Sequence, residues 1–125
     1  MLADVIKQLN ARNIRTSIFV GTNASHVEYA AKCGAQRIEL YTEHYAKNFI
    51  THKNKVIAPY MTAANIATAN GLGINAGHDL NLDNLAFFAQ QLPNLLEVSI
   101  GHALVCDALY LGLENTIQLY KRCLK

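Results

Sequence analysis

The sequence predicts an α/β fold, half of a parallel (β/α) barrel of the TIM type, with about four βα units. Three observations lead there. Strand-like runs alternate with stretches of helical periodicity along all 125 residues, the pattern of parallel strands joined by right-handed helical crossovers. Within the strands apolar residues alternate with polar ones: Ile38 and Leu40 oppose Arg37 and Glu39, Ile74 and Ala76 oppose Asn75 and Gly77, and Val98 and Ile100 oppose Glu97 and Ser99. A sheet covered by helices on both faces reads as near-continuous apolar runs, so here one face packs on helices while the other gathers polar groups, as in a lumen opening into a site. Finally, four units make half of an eight-stranded barrel, which typically needs about 250 residues.

Each element has its own local cause. Leu2, Val5, Ile6 and Leu9 recur at helical spacing, and "NARN" ends that helix before the strand in "IRTSIFVG". Thr22, Asn23 or Ser25 caps the next helix, with Val27, Ala30 and Ala31 on its apolar face and Gly34 closing it. The strand "QRIELYT" follows. "TEHYAKN" is then a loop or a short helix, and a longer helix runs from about Thr51 to Asn70, kinked or restarted at Pro59. Gly71 and Gly73 lead into the strand "INAG", and Asn81 or Asp83 caps "LDNLAFFAQQL", which stops before Pro93. After the strand "LEVSIG" come one or two helices from His102 to Lys125.

Composition narrows the class. With 51% hydrophobic and 16% charged residues, the chain suits one packed domain over residues 1–125. A net charge of +2 without a basic stripe gives no track for a phosphate backbone, so nucleic acid is not an expected partner. Cys33, Cys106 and Cys123 have neither disulfide-framework nor zinc-ligand spacing. No apolar run approaches the roughly 20 residues that span a bilayer, and the first residues lack a signal-peptide core; the expected location is the cytoplasm, with no membrane partner. Met1 falls within a helix, and the outer strands would carry unpaired edges. The chain is therefore expected to be the C-terminal half of a larger barrel, its N-terminal half absent, or to complete itself by association.

Barrel chemistry sits at the C-terminal ends of strands, with phosphate commonly held after the last two. That rule selects Gly77, His78 and Asp79 after the third strand, and Gly101 and His102 after the fourth. Glycine admits an anion close to the backbone, and histidine donates a hydrogen bond or moves a proton near neutral pH. A helix-capping role is the competing reading for each histidine. Glu39, a mid-strand carboxylate facing the lumen, is costly to bury unless paired; it reads as catalytic or as an ion-pair partner of Arg37 or another arginine. Glu43 and His44 could line the mouth, and Tyr41 and Tyr45 could hydrogen-bond a ligand or serve in packing, whereas His26 and His52 are read as solvent-facing. No GxGxxG, Walker or HExxH motif occurs.

The stretches "INAGHDLN", "IELYTEHYA", "SIFV" before a capped helix and "LEVSIGHALVCDALYLGLENTI" closely resemble, in order and spacing over essentially the whole chain, the C-terminal half of the pyridoxine 5'-phosphate synthase family of bacterial vitamin B6 synthesis. The resemblance implies condensation of 3-amino-2-oxopropyl phosphate with 1-deoxy-D-xylulose 5-phosphate by acid-base catalysis, giving pyridoxine 5'-phosphate, phosphate and water. It also implies no metal or organic cofactor, and a homo-oligomer. Position by position, His78 matches the family's proton donor and Glu39 its lumen glutamate that stabilises the transition state. Gly101 and His102 match the phosphate-binding pair, and Asp79 falls on the adjoining ligand-contacting position.

Two positions depart from the family pattern: Asp79 stands where some members carry Gly, and Gly21 where members often carry Asp. The family's N-terminal half supplies a further acid-base histidine and glutamate, and substrate-binding arginines, with no counterpart here. Little or no synthase activity is therefore expected of the isolated chain. The alternatives are a non-catalytic phosphometabolite-binding half-barrel and an inactive remnant.

Overall fold

In the computed structural model, which describes residues 1–125, four parallel strands pair in chain order: β1 (Ser17–Val20), β2 (Arg37–Tyr41), β3 (Gly73–Gly77) and β4 (Leu95–Ser99). Helix α1 (Leu2–Asn10) precedes β1. Helices α2 (Ala24–Lys32), α3 (Glu43–Ala69) and α4 (Leu85–Gln91) follow the first three strands, and α5 (His102–Leu111) and α6 (Leu113–Arg122) follow the fourth. This is the α/β half-barrel that the alternating pattern predicts, with β1 and β4 as its edges.

The apolar strand face makes the core. Ile38, Leu40, Ile74 and Ala76 are fully buried, clustered with Val27 and Ala30 of α2, Ala63, Ala64 and Ala67 of α3, and Phe88 of α4. Three alanines on α3 leave room for the helix to lie close against the strands. Each buried large aliphatic side chain contributes roughly 1.5–3 kcal/mol.

The other face carries rows set by register, one of them running from Phe19 through the polar Glu39, Asn75 and Glu97 on successive strands. A bulge makes the last member possible. Ile74 aligns with Leu95 but Asn75 with Glu97, so Leu96 is the extra residue. Were Leu96 paired in regular register with Asn75 instead, Glu97 would align with Ala76 and turn toward the helices.

Three local details refine the sequence reading. Of the three candidate caps of α2, Asn23 serves, its Oδ1 accepting from Ser25 N at 2.9 Å. "TEHYAKN" is helical, and α3 breaks at His52 (φ −142°, ψ 34°) rather than at Pro59. Pro59 costs one bond, to the carbonyl of Lys55 on the exposed side, where solvent has access to it. Asn81, not Asp83, starts the turn into α4: its Oδ1 accepts from Asn84 N at 3.1 Å while Asn84 Oδ1 accepts from Asn81 N at 2.9 Å, a reciprocal box.

Candidate active site

The end of β3 is held by the residue that follows β2. Tyr41 aligns with Gly77, and the next residue, Thr42, reaches across twice. Its N–H donates to the carbonyl of Gly77 at 2.9 Å and its hydroxyl to the carbonyl of His78 at 2.5 Å. Beyond that clamp the backbone enters the left-handed region at two residues with side chains, His78 (φ 95°) and Asp79 (φ 59°). Such conformations cost of order 1–3 kcal/mol each and persist only where the surroundings enforce them. Here Thr42 enforces the first, and Asn84, donating from Nδ2 to the carbonyl of Asp79 at 3.2 Å, secures the second.

After β4 the chain passes through Gly101 into α5, whose first bond runs from Val105 N to the carbonyl of Gly101 at 3.2 Å. The N–H groups of His102, Ala103 and Leu104 precede it and carry the positive end of the helix dipole. One cleft of about 690 Å³ joins the two strand ends, and His78, Asp79, Asn81, Ser99, Gly101 and His102 all line it. His78, Asp79, Gly101 and His102, all singled out from the sequence, therefore share one cavity.

Glu39 does not line that cleft. It sits one row deeper, and a Cβ at Gly77 would lie 2.5 Å from its Oε1. The expected ion pair with Arg37 does not form, because Arg37 Nη1 binds Glu97 at 2.8 Å and Asn75 Oδ1 at 3.0 Å. Arg15, ahead of β1, binds the same Glu97 through both of its terminal nitrogens at 3.1 Å. The Arg15 guanidinium first, with Arg37 adding to it, holds the Glu97 carboxyl below the usual carboxylate range. With both arginines committed, Glu39 stays free of a charged partner.

An aromatic chain crosses the rim. Tyr41 meets His78 edge-on at 4.7 Å between ring centroids, and Phe19 at 5.2 Å. The Tyr41 hydroxyl donates to Glu43, and that acceptor pushes its pKa up to about 12. Lys47, paired with Glu43, holds the Glu43 carboxyl low. Tyr41 shares a strand face with Arg37 and Glu39 at spacing i, i+2, i+4, so the alternation already placed it in the lumen. Alternation likewise set Ser99 with Glu97 on that face, whereas Thr42 carried no such signal. His26, His44 and His52 are exposed and stand outside the cleft. No three His, Cys, Asp or Glu side chains are grouped to hold a metal ion, and no helix is long and apolar enough to cross a membrane.

Histidines beside a helix start and its free N–H groups can bind an anion and exchange protons with it. The model of the family "Pyridoxal phosphate biosynthesis protein PdxJ" matches residues 1–125. The chain is similar to proteins named pyridoxine 5'-phosphate synthase: 58% identical over 123 residues to that of Parabacteroides distasonis, 56% over 124 residues to that of Cytophaga hutchinsonii, and 54% over 124 residues to that of Bacteroides thetaiotaomicron. These alignments take in 98–99% of this chain and 52% of each relative. The chain spans about half the length of the curated relatives it matches, their C-terminal half. It belongs to the PdxJ family of pyridoxal phosphate biosynthesis proteins.

Proposed function

We propose that this chain supplies the proton-donating and phosphate-binding half of a pyridoxine 5'-phosphate synthase. The full enzyme would condense 3-amino-2-oxopropyl phosphate with 1-deoxy-D-xylulose 5-phosphate to pyridoxine 5'-phosphate, phosphate and water, in the cytoplasm and as a homo-oligomer. The observation that carries the reading is the single cleft of about 690 Å³ shared by His78, Asp79, Gly101 and His102.

In this reading a substrate phosphate sits at the start of α5, on the N–H groups after Gly101 and on His102, with the backbone at Asp79 on its other side. His78, presented at the rim by Thr42, gives a proton to a substrate oxygen as the ring closes. Glu39, free of any arginine, faces positive charge developing deeper in the lumen and stabilises it. These groups move protons and hold charge without a metal or organic cofactor.

A chimera tests the reading. The segment of the Parabacteroides distasonis synthase that aligns with this chain is replaced by these 125 residues and assayed with both substrates. Turnover near that of the parent is expected, and His78→Asn in the same chimera should lower kcat at least about a hundredfold. A folded chimera without turnover, or one indifferent to His78→Asn, overturns the proposal. The chain alone is expected to show little or no turnover; a rate comparable to the full-length relative would contradict that.

A further inference from the structure

The cleft sets a group that only accepts hydrogen bonds against one particular nitrogen of its central histidine. Asp79 Oδ2 lies 3.2 Å from His78 Nδ1, with both side chains a little under half exposed. The ring is also held on another side by Tyr41, edge-on at 4.7 Å. The left-handed turn through His78 and Asp79 puts these neighbouring side chains together, where an extended strand would send them to opposite faces.

We infer that Asp79 is a positioning residue that fixes the tautomer of His78, so that His78 exchanges its proton with substrate through Nε2. A carboxylate has no hydrogen to give, and its charge 3.2 Å away favours a hydrogen on Nδ1 over a lone pair there. The neutral ring then keeps its lone pair on Nε2, and the charged ring presents Nε2–H outward. When Nε2–H gives its proton to a substrate oxygen, the N–H bond breaks and an O–H bond forms. The ring is left in the Nδ1–H form that Asp79 already favours, and no proton has to cross the ring. Other charged groups near the rim are committed elsewhere: Glu43 and Lys47 pair with each other, and the Tyr41 hydroxyl donates to Glu43. His102 lines the same cleft and makes no hydrogen bond to the His78 ring. Asp79 thus spends its charge on the histidine while its backbone stays free to meet a ligand.

The catalytic meaning of this assignment rests on the proposed proton-donor role of His78, but the tautomer is readable without substrate. Long-range ¹⁵N–¹H correlation spectra of the labelled 125-residue chain, at a pH where the ring is neutral, should show His78 mainly as Nδ1–H. Asp79→Gly, which suits the left-handed backbone, should return it to the Nε2–H form that exposed His26 adopts in the same spectrum. Asp83→Ala removes a nearby carboxylate that does not touch His78 and should change nothing. Wild-type His78 in the Nε2–H form, or a tautomer unmoved by Asp79→Gly, overturns the inference. An inactive chimera with the Nδ1–H form intact would instead refute the synthase reading alone.

Discussion

Glu39 Oε1 rests so close above Gly77 that a Cβ on Gly77 would meet it at 2.5 Å, and would also meet Ser99 Cβ at 3.0 Å and the Ser99 carbonyl at 3.1 Å. The missing side chain of Gly77 is the space that the Glu39 carboxylate occupies. Gly77→Ala should therefore destabilise the fold by about 1–3 kcal/mol through overpacking, read by urea unfolding. In the Gly77→Ala, Glu39→Ala double variant part of that loss should return, because one of the three contacts is gone. Strict additivity of the two substitutions would show that the residues do not compete for the space.

Thr42 is fully buried, and its hydroxyl is the hydrogen-bond partner of the His78 carbonyl. Thr42→Val keeps the shape and removes the donor, so it should cost about 1–3 kcal/mol in chemical denaturation. Thr42→Ser retains the donor and should recover most of that. A loss in Thr42→Ser with none in Thr42→Val would assign the effect to the methyl group instead.

Glu97 ties both arginines of the lumen floor. Its folded pKa is lowered from 4.5, so the stability it contributes is present above pH 4.5 and lost as pH falls through the lowered folded value. In Glu97→Gln the fall of stability with acid should be shallower in that window, as measured by thermal melts across pH. Because the side chain is 47% exposed, added salt should shrink the difference.

Tyr41 moves the opposite way. Its hydrogen bond to Glu43 lifts its pKa from 10.0 to about 12, so the bond stabilises the fold fully below pH 10 and is lost as pH rises from there to about 12. Glu43→Gln should bring the Tyr41 titration down toward 10, seen as the ultraviolet tyrosinate difference against Tyr41→Phe. An unchanged Tyr41 titration in Glu43→Gln would deny the bond.

The surface also carries an expectation. At 7670 Å² it exceeds the roughly 6,600 Å² of a compact folded monomer of this mass. Helix α5 has no buried residue, and Leu109 and Tyr110 are 81% and 89% exposed. Sedimentation should show association that rises with concentration, and a monomer throughout the micromolar range would contradict it.

Much of the site was legible because its signals are local. Repeated Gly-His after two strands marked the cleft, and alternation around Ile38 and Leu40 put Glu39 in the lumen. The bond between Thr42 and the His78 carbonyl was not legible, since it spans 36 positions and exists only once β2 and β3 are in register. The partner of Glu39 was likewise undecided between a catalytic role and an ion pair with Arg37 or another arginine, until register across the bulge at Leu96 set Glu97 beside Asn75 and within reach of Arg37.

By itself, the amino-acid order determined what depends on neighbours a few residues apart: the helical and strand periods, the short sets of candidate caps, the α/β class and the residues at strand ends. The tertiary structure decided which polar groups meet. Arg15 reaches Glu97 across 82 positions, Asp79 turns onto His78 through a left-handed backbone, and Glu39 is left unpaired. Those choices follow from sheet register and curvature, which packing of the whole core settles cooperatively, so no short stretch of sequence contains them.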